Sequence, residues 1–111
     1  MKPESLDAVF HALAHKTRRR ILDIVKDRPG CTVGEICREF DVSRIAVIKH
    51  ITVLTDANLL ITEKVGRRKT VYLNAVPIQM IYDRWTTEFS SFWTERLTEI
   101  KYRAERTAAE G

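Results

Sequence analysis

The chain reads as a mainly α-helical fold carrying one small β-hairpin, and three observations predict it. Apolar residues recur every three or four positions through most of the sequence, as in helices that bury one face. Only 3 prolines and 4 glycines interrupt 111 residues, which leaves little room for long irregular segments. One stretch, Leu60 to Leu73, instead alternates apolar with polar residues in two runs on either side of a glycine. The length suits a single domain, residues 1–111, with a modest core, and the hydrophobic and charged shares of 44% and 31% are those of a soluble globular protein.

Leu6, Val9, Phe10 and Leu13 have helical spacing, so residues 5–14 form a short opening helix. His11 and His15 lie at i, i+4, a spacing that can hold a metal, but no third ligand accompanies them and they read as surface histidines. A second helix buries Ile21, Leu22, Ile24 and Val25 and stops at Asp27-Arg28-Pro29-Gly30. Lys16, Arg18, Arg19 and Arg20 cluster at its start, where cations oppose the helix macrodipole; that placement points Arg18 and Arg19 toward a phosphate backbone.

Thr32 to Phe40 reads as a third helix opened by the capping box Thr32-x-x-Glu35, with Cys31 stapled onto Ile36 and Cys37 in the core. After the tight Asp41-Val42 link comes Ser43 to Leu54, a helix with a different chemistry on each side. Val47, Ile51 and Leu54 make a buried stripe, whereas Ile45, Lys49 and Thr52 point away, flanked by Ala46 and Ile48. Ser43 caps its first turn. Two helices joined this closely, over about residues 32–56, are a helix-turn-helix, whose second helix enters the major groove of DNA. His50 sits toward the core side of the helix wheel, and a phosphate contact and a structural role are both open to it.

Asn58 ends this helix in the left-handed conformation that asparagine tolerates. The two runs that follow, Leu60–Val65 and Thr70–Leu73, form a hairpin, or wing, over about 60–73, with Gly66-Arg67-Arg68-Lys69 as its turn. Three cations at a hairpin tip favour phosphate or minor-groove contact. Pro77 then opens a last helix, about 77–104, whose stripe includes Ile81, Trp85, Phe89, Phe92 and Trp93; residues 101–111 are polar and alanine-rich and fray. A domain this small has little core left for so long an apolar face. The expected outcome is a homodimer through Leu6, Phe10, Ile81, Trp85, Phe89, Phe92 and Trp93, with a ligand pocket lined by the same aromatics as the alternative.

Residues 1–73 hold 14 Lys/Arg against 9 Asp/Glu, a balance of +5, and residues 74–111 hold 5 against 6, a balance of −1. The positive charge therefore travels with the helix-turn-helix and the wing, as an electrostatic footprint for DNA should. Charges throughout the first 20 residues give no signal peptide, and no apolar run reaches membrane-spanning length, so a cytoplasmic protein is expected. Two cysteines are too few for a disulfide framework and read as free thiols.

Together the segments ALAHKTRRRIL, TVGEICREFDVSRIAVIKHITVLTDANLL and the Val65–Tyr72 wing resemble the ArsR/SmtB family of winged-helix transcriptional repressors, over roughly residues 5–100. The resemblance implies a dimer on operator DNA, with Ser43 to His50 in the groove and Arg67 to Lys69 beside it. Several residues depart from the family. His15-Lys16 replaces an Asp-Pro pair that caps and starts the second helix, which predicts about 1 kcal/mol less local stability. The arsenic-sensing branch carries a CxC pair on the third helix; here Cys37 is followed by Glu39 where the second cysteine would fall. The zinc-sensing branch draws a histidine from the last helix, and none lies after His50. The chain is therefore similar to the branch without a recognised metal site, and no metal or other cofactor is expected.

The DNA-contacting residues expected are Ser43, Arg44, Ile45, Ala46, Ile48, Lys49 and His50 on the second helix of the pair, Arg67, Arg68 and Lys69 on the wing, and Arg18 and Arg19 upstream. Apolar Ile45, Ala46 and Ile48 suit thymine methyl groups and predict an A·T-containing half-site, with Arg44 and Lys49 donating to bases or phosphate. Two other readings compete: a metal- or thiol-responsive repressor using Cys31 and Cys37, and a winged helix serving as a protein-interaction module. An enzyme is not expected, since no glycine-rich phosphate loop, nucleophile motif or paired carboxylates are present.

Overall fold

A computed structural model describes residues 1–87 and 91–110 of the chain. The chain divides into two compact units, Met1–Ile81 and Tyr82 onward. In the first, α1 (Pro3–Leu13) and α2 (Lys16–Asp27) are followed by β1 (Cys31–Thr32), α3 (Val33–Cys37), α4 (Arg44–Asp56), β2 (Leu60–Val65), β3 (Arg68–Leu73) and the start of α5 (Val76–Thr86). The second holds the end of α5 and α6 (Ser91–Glu110).

Where one helix is expected over 77–104, α5 thus gives way to a turn at Thr87, and α6 continues helically through the region expected to fray. The polar, alanine-rich composition there is also that of a good helix former. Helix α3 is only five residues, so the link to α4 spans Arg38 to Ser43 and is longer than the Asp41-Val42 junction suggests. A second difference is β1, which sequence pattern alone does not reveal. Two residues cannot display an alternation, yet Cys31 and Thr32 pair with Val71 and Thr70 and make the hairpin a three-stranded antiparallel sheet in the order β1-β3-β2.

The core of the first unit lies where α1, α2, α3 and α4 meet the sheet. Val9, Ala12, Ile21, Val25, Ile36, Val47, Leu54, Leu59 and Val71 are essentially inaccessible, and Cys31 is buried in the same cluster as Ile36. Each Val, Leu or Ile among them contributes about 1.5–3 kcal/mol by leaving water. Local chemistry sets the elements that carry them. Thr32 Oγ1 accepts from Glu35 N at 3.1 Å, and its hydroxyl also meets Glu35 Oε1 at 3.1 Å. Thr32 itself is paired in the sheet, so the carboxylate answers the hydroxyl. Helix α4 starts on Ser43, whose Oγ accepts from Ala46 N at 3.2 Å. It ends in a Schellman motif: Asn58, at φ 62°, donates from N to Thr55 O, and Leu59 N donates to Leu54 O. Leu54 and Leu59, the pair that closes such a motif, are both in the core. The end of α4 and the start of the wing are therefore set by one joint.

Helix α2 starts with a cap after all. His15 Nδ1 accepts from Thr17 N at 3.1 Å, so the imidazole does what the absent aspartate would have done. The expected deficit of about 1 kcal/mol does not arise by the mechanism that predicted it.

Candidate nucleic-acid interface

Helix α4 divides as its sequence pattern requires. Val47, Ile51 and Leu54 are buried, while Ser43, Arg44, Ile45, Ile48 and Lys49 are exposed, Ile45 at 70%, and Ala46 is half-buried. An isoleucine held so far into water has no structural function inside this unit. It is an apolar group presented outward, flanked by the cations Arg44 and Lys49.

The wing beside it has a tighter turn than expected. Strand β2 runs through Val65 and β3 resumes at Arg68, so the turn is Gly66-Arg67 alone, with φ +63° at Gly66. A glycine with positive φ at the first of two loop positions is the pattern of a type II′ hairpin turn. Arg68 pairs with Val65 and Lys69 with Lys64. Side chains alternate along a strand, so Lys69 shares the face of buried Val71, and Arg68 the opposite face with Tyr72. The three cations are thus divided between two faces and the tip. Lys64, directly across from Lys69, joins the candidate cations, although the sequence pattern did not single it out; counting the register outward from a two-residue turn finds it. Like charges directly opposite are unfavourable. Among the described residues, the ion pairs are Lys26–Asp27, Arg28–Glu39, Arg96–Glu99 and Lys101–Glu105, and none engages the cations of α4 or the wing.

Arg18 and His50 belong elsewhere. Arg18 is buried, its Nε donating to Ala12 O at 2.8 Å and its Nη2 to His11 O at 2.9 Å. Arg19 stays exposed, with Nη1 donating to Leu13 O at 2.7 Å. Both arginines stand at the start of α2, where cations oppose its macrodipole, but they reach the C-terminus of α1, where carbonyls lack intrahelical partners and cations are stabilising. Arg20 lies over the Phe40 ring at 4.8 Å. Buried and with its Nε and Nη2 donors spent on α1 carbonyls, Arg18 is not placed to contact phosphate as its sequence position predicts. His50 also turns inward. Its Nδ1 is 3.2 Å from Arg18 Nη1, and its ring centroid is 4.5 Å from that of His15. Arginine can only donate, so Nδ1 accepts and His50 is neutral in this arrangement. Burial first, then the neighbouring His15 and Arg18, lower its pKa below the ordinary histidine value.

Of the residues expected at a dimer interface, Leu6 is half-buried, Ile81 packs partly against the core of its own unit, Phe10, Trp85, Phe92 and Trp93 are exposed, and Phe89 lies outside the described residues. Both cysteines are free thiols, Cys31 buried and Cys37 half-buried. Burial pushes the Cys31 thiol up, which disfavours the thiolate that reactivity and metal binding require. Among the described residues no group of three or more His, Cys, Asp or Glu could hold a metal, and no helix is long and apolar enough to cross a membrane.

A family model for a helix-turn-helix domain matches residues 13–63, the span from the end of α1 into the wing. The HTH-type transcriptional regulator Rv2034 of Mycobacterium tuberculosis is 35% identical over 94 residues, covering 85% of this chain and 83% of the relative. A crystal structure of an ArsR family transcriptional regulator superposes with a TM-score of 0.70 at 33% identity, over 85% of this chain and 95% of the other. The chain belongs to the ArsR family of helix-turn-helix transcriptional regulators. An ArsR-like regulator from Rhodococcus sp. RHA1 gives 29% identity and a TM-score of 0.66, over 91% and 93% of the two chains. The transcriptional repressor SdpR of Bacillus subtilis is 30% identical over 74 residues, 67% of this chain and 81% of that one. ArsR-family members act by binding DNA and are not enzymes, and the architecture of this regulator is the winged helix-turn-helix of that family.

Proposed function

We propose that this ArsR-family regulator is a repressor that binds an inverted-repeat operator as a homodimer, with α4 in the major groove and the β2–β3 wing on the flanking backbone. The observation that carries this reading is Ile45, 70% exposed between Arg44 and Lys49 on a helix whose other side is core. Ser43, Ala46 and Ile48 complete the groove-facing set, and Arg67, Arg68, Lys69 and Lys64 contact phosphate, joined by Arg19 through the donors it does not spend on Leu13. Isoleucine side chains in the groove read thymine methyl groups, so the half-site contains A·T pairs. Two-fold symmetry spaces the recognition helices about 34 Å apart, one duplex turn. A cytoplasmic location follows from the same reading.

The test is selection of binding sites from random duplex, then replacement of each thymine by deoxyuridine, which removes only the 5-methyl group. One or more positions in each half-site should lose affinity severalfold, as expected when a buried methyl worth about 0.8 kcal/mol is removed. That loss should vanish in Ile45→Ala or Ile48→Ala. A site that is equally well bound with every thymine demethylated would remove the proposed readout.

A further inference from the structure

Between α4 and the wing lies a cleft of about 350 Å³. It runs beside α4 from Arg44 to Asp56, a span of twelve residues or about 18 Å of helix. Val33, Ile48 and Ile51 supply apolar lining, and Lys69 of the wing joins Arg44 in facing it. The hydroxyls of Thr52 and Thr55, which also line it, spend their protons on Ile48 O at 3.0 Å and Ile51 O at 2.9 Å. Arg44 and Lys69 can meet an anion, but the apolar lining beside them offers a phosphodiester no further polar partners. The cleft suits a molecule with one charged end. The volume lies at the lower end of the range typical of small-molecule sites, about 300–1,000 Å³.

We infer that this cleft binds a small monoanionic amphiphile, with its carboxylate on Arg44 and Lys69 and its uncharged apolar body along Ile48, Ile51 and Val33, and that the bound molecule competes with DNA. Charge complementarity commits the occupant. Among the described residues Arg44 and Lys69 enter no ion pair, and Lys64, paired with Lys69 across the hairpin, adds a further positive charge beside it. Asp56 lines the cleft as well, twelve residues from Arg44, and excludes a second anionic group from its own neighbourhood. Competition follows from shared residues. Arg44, Ile48 and Lys69 belong to the DNA-contacting set proposed above, so the inference about release rests on that reading, whereas occupancy of the cleft does not.

The experiment titrates the full chain, free of DNA, with octanoate, octan-1-ol and octylamine, following isoleucine and valine methyl resonances by NMR. Octanoate should move the Val33, Ile48 and Ile51 methyl signals, with octanol at least tenfold weaker and octylamine without effect at these methyls. Arg44→Gln combined with Lys69→Gln should weaken octanoate at least tenfold and leave octanol unchanged. Equal response to all three head groups, or shifts that avoid these three residues, would overturn the site. A second arm measures fluorescence anisotropy of a selected duplex with added octanoate, and DNA should be released over the same concentration range. If the methyl signals move and the duplex stays bound, the cleft is real and its competition with DNA is refuted. Failure of the duplex to bind at all, with the methyl response intact, would count against the DNA reading alone.

Discussion

Arg18 and Arg67 are interchangeable in composition and opposite in use. Arg18 is the side-chain donor to Ala12 O at the end of α1, so Arg18→Ala leaves a buried carbonyl unmatched. That should cost about 2 kcal/mol in urea denaturation and leave the salt dependence of DNA binding unchanged. Arg67→Ala, at the exposed tip, should change stability by less than about 0.5 kcal/mol. It should instead reduce the slope of log K against log salt by about 0.9, one phosphate contact. His50 makes a pH-dependent counterpart. Its folded pKa is lowered, so as the pH falls the unfolded chain takes up the proton first. The His50 contribution to stability is complete above the ordinary value of 6.5, declines as the pH falls below it, and levels off under the lower folded value. Thermal melts of wild type and His50→Gln across this range should show the variant losing part of that decline, because glutamine still accepts from Arg18 but does not titrate there. Identical pH profiles would mean that His50 carries no such linkage.

Hairpins and short helices show where local sequence is sufficient and where it is not. The caps at Thr32 and Ser43, the left-handed Asn58 and the two faces of α4 were legible because each depends on neighbours within four residues. Strand β1 was not, since two residues acquire strand geometry only by pairing with β3, some forty positions away. The place of Arg18 is hidden for the same reason: its partners are the carbonyls of the preceding helix, and nothing in its own helix points to them. The wing's site residues depended on one detail, the length of the turn. With a two-residue turn, Lys64 and Lys69 become direct cross-strand neighbours. Lys64→Glu should turn that repulsion into attraction and stabilise the free protein by about 0.2–1 kcal/mol. The same change places a carboxylate beside the DNA backbone, so affinity should fall severalfold. A rise in melting temperature together with a loss of binding would identify a residue held at some cost to stability for the sake of its ligand. If both quantities fell, Lys64 would be a structural residue of the hairpin.

At the scale of the molecule, the two units differ in how they bury apolar surface. The first encloses its own core; α6 of the second presents Trp93, Leu97 and Ile100 along one stripe, each between 44% and 52% exposed, with Phe92 at 66%. A 20-residue helix spans about 30 Å, and its stability in proteins comes chiefly from packing an amphipathic face. Phe10 and Trp85 add exposed aromatic surface on α1 and α5. A second copy of the chain is the partner that the proposed palindromic operator requires, and it would cover these faces by symmetry. Trp93→Glu combined with Leu97→Glu should yield a folded monomer by sedimentation, with the circular dichroism of the first unit's helices retained. Affinity for a full inverted repeat should then fall by roughly 10²-fold or more as the second binding event ceases to be intramolecular, while affinity for an isolated half-site stays unchanged. If the variant remains dimeric, the contact lies away from the α6 stripe, and the exposed tryptophan and its neighbours become the walls of a ligand site. If it becomes monomeric and binds both duplexes as before, DNA recognition is carried by single subunits and the operator has no need of two-fold symmetry.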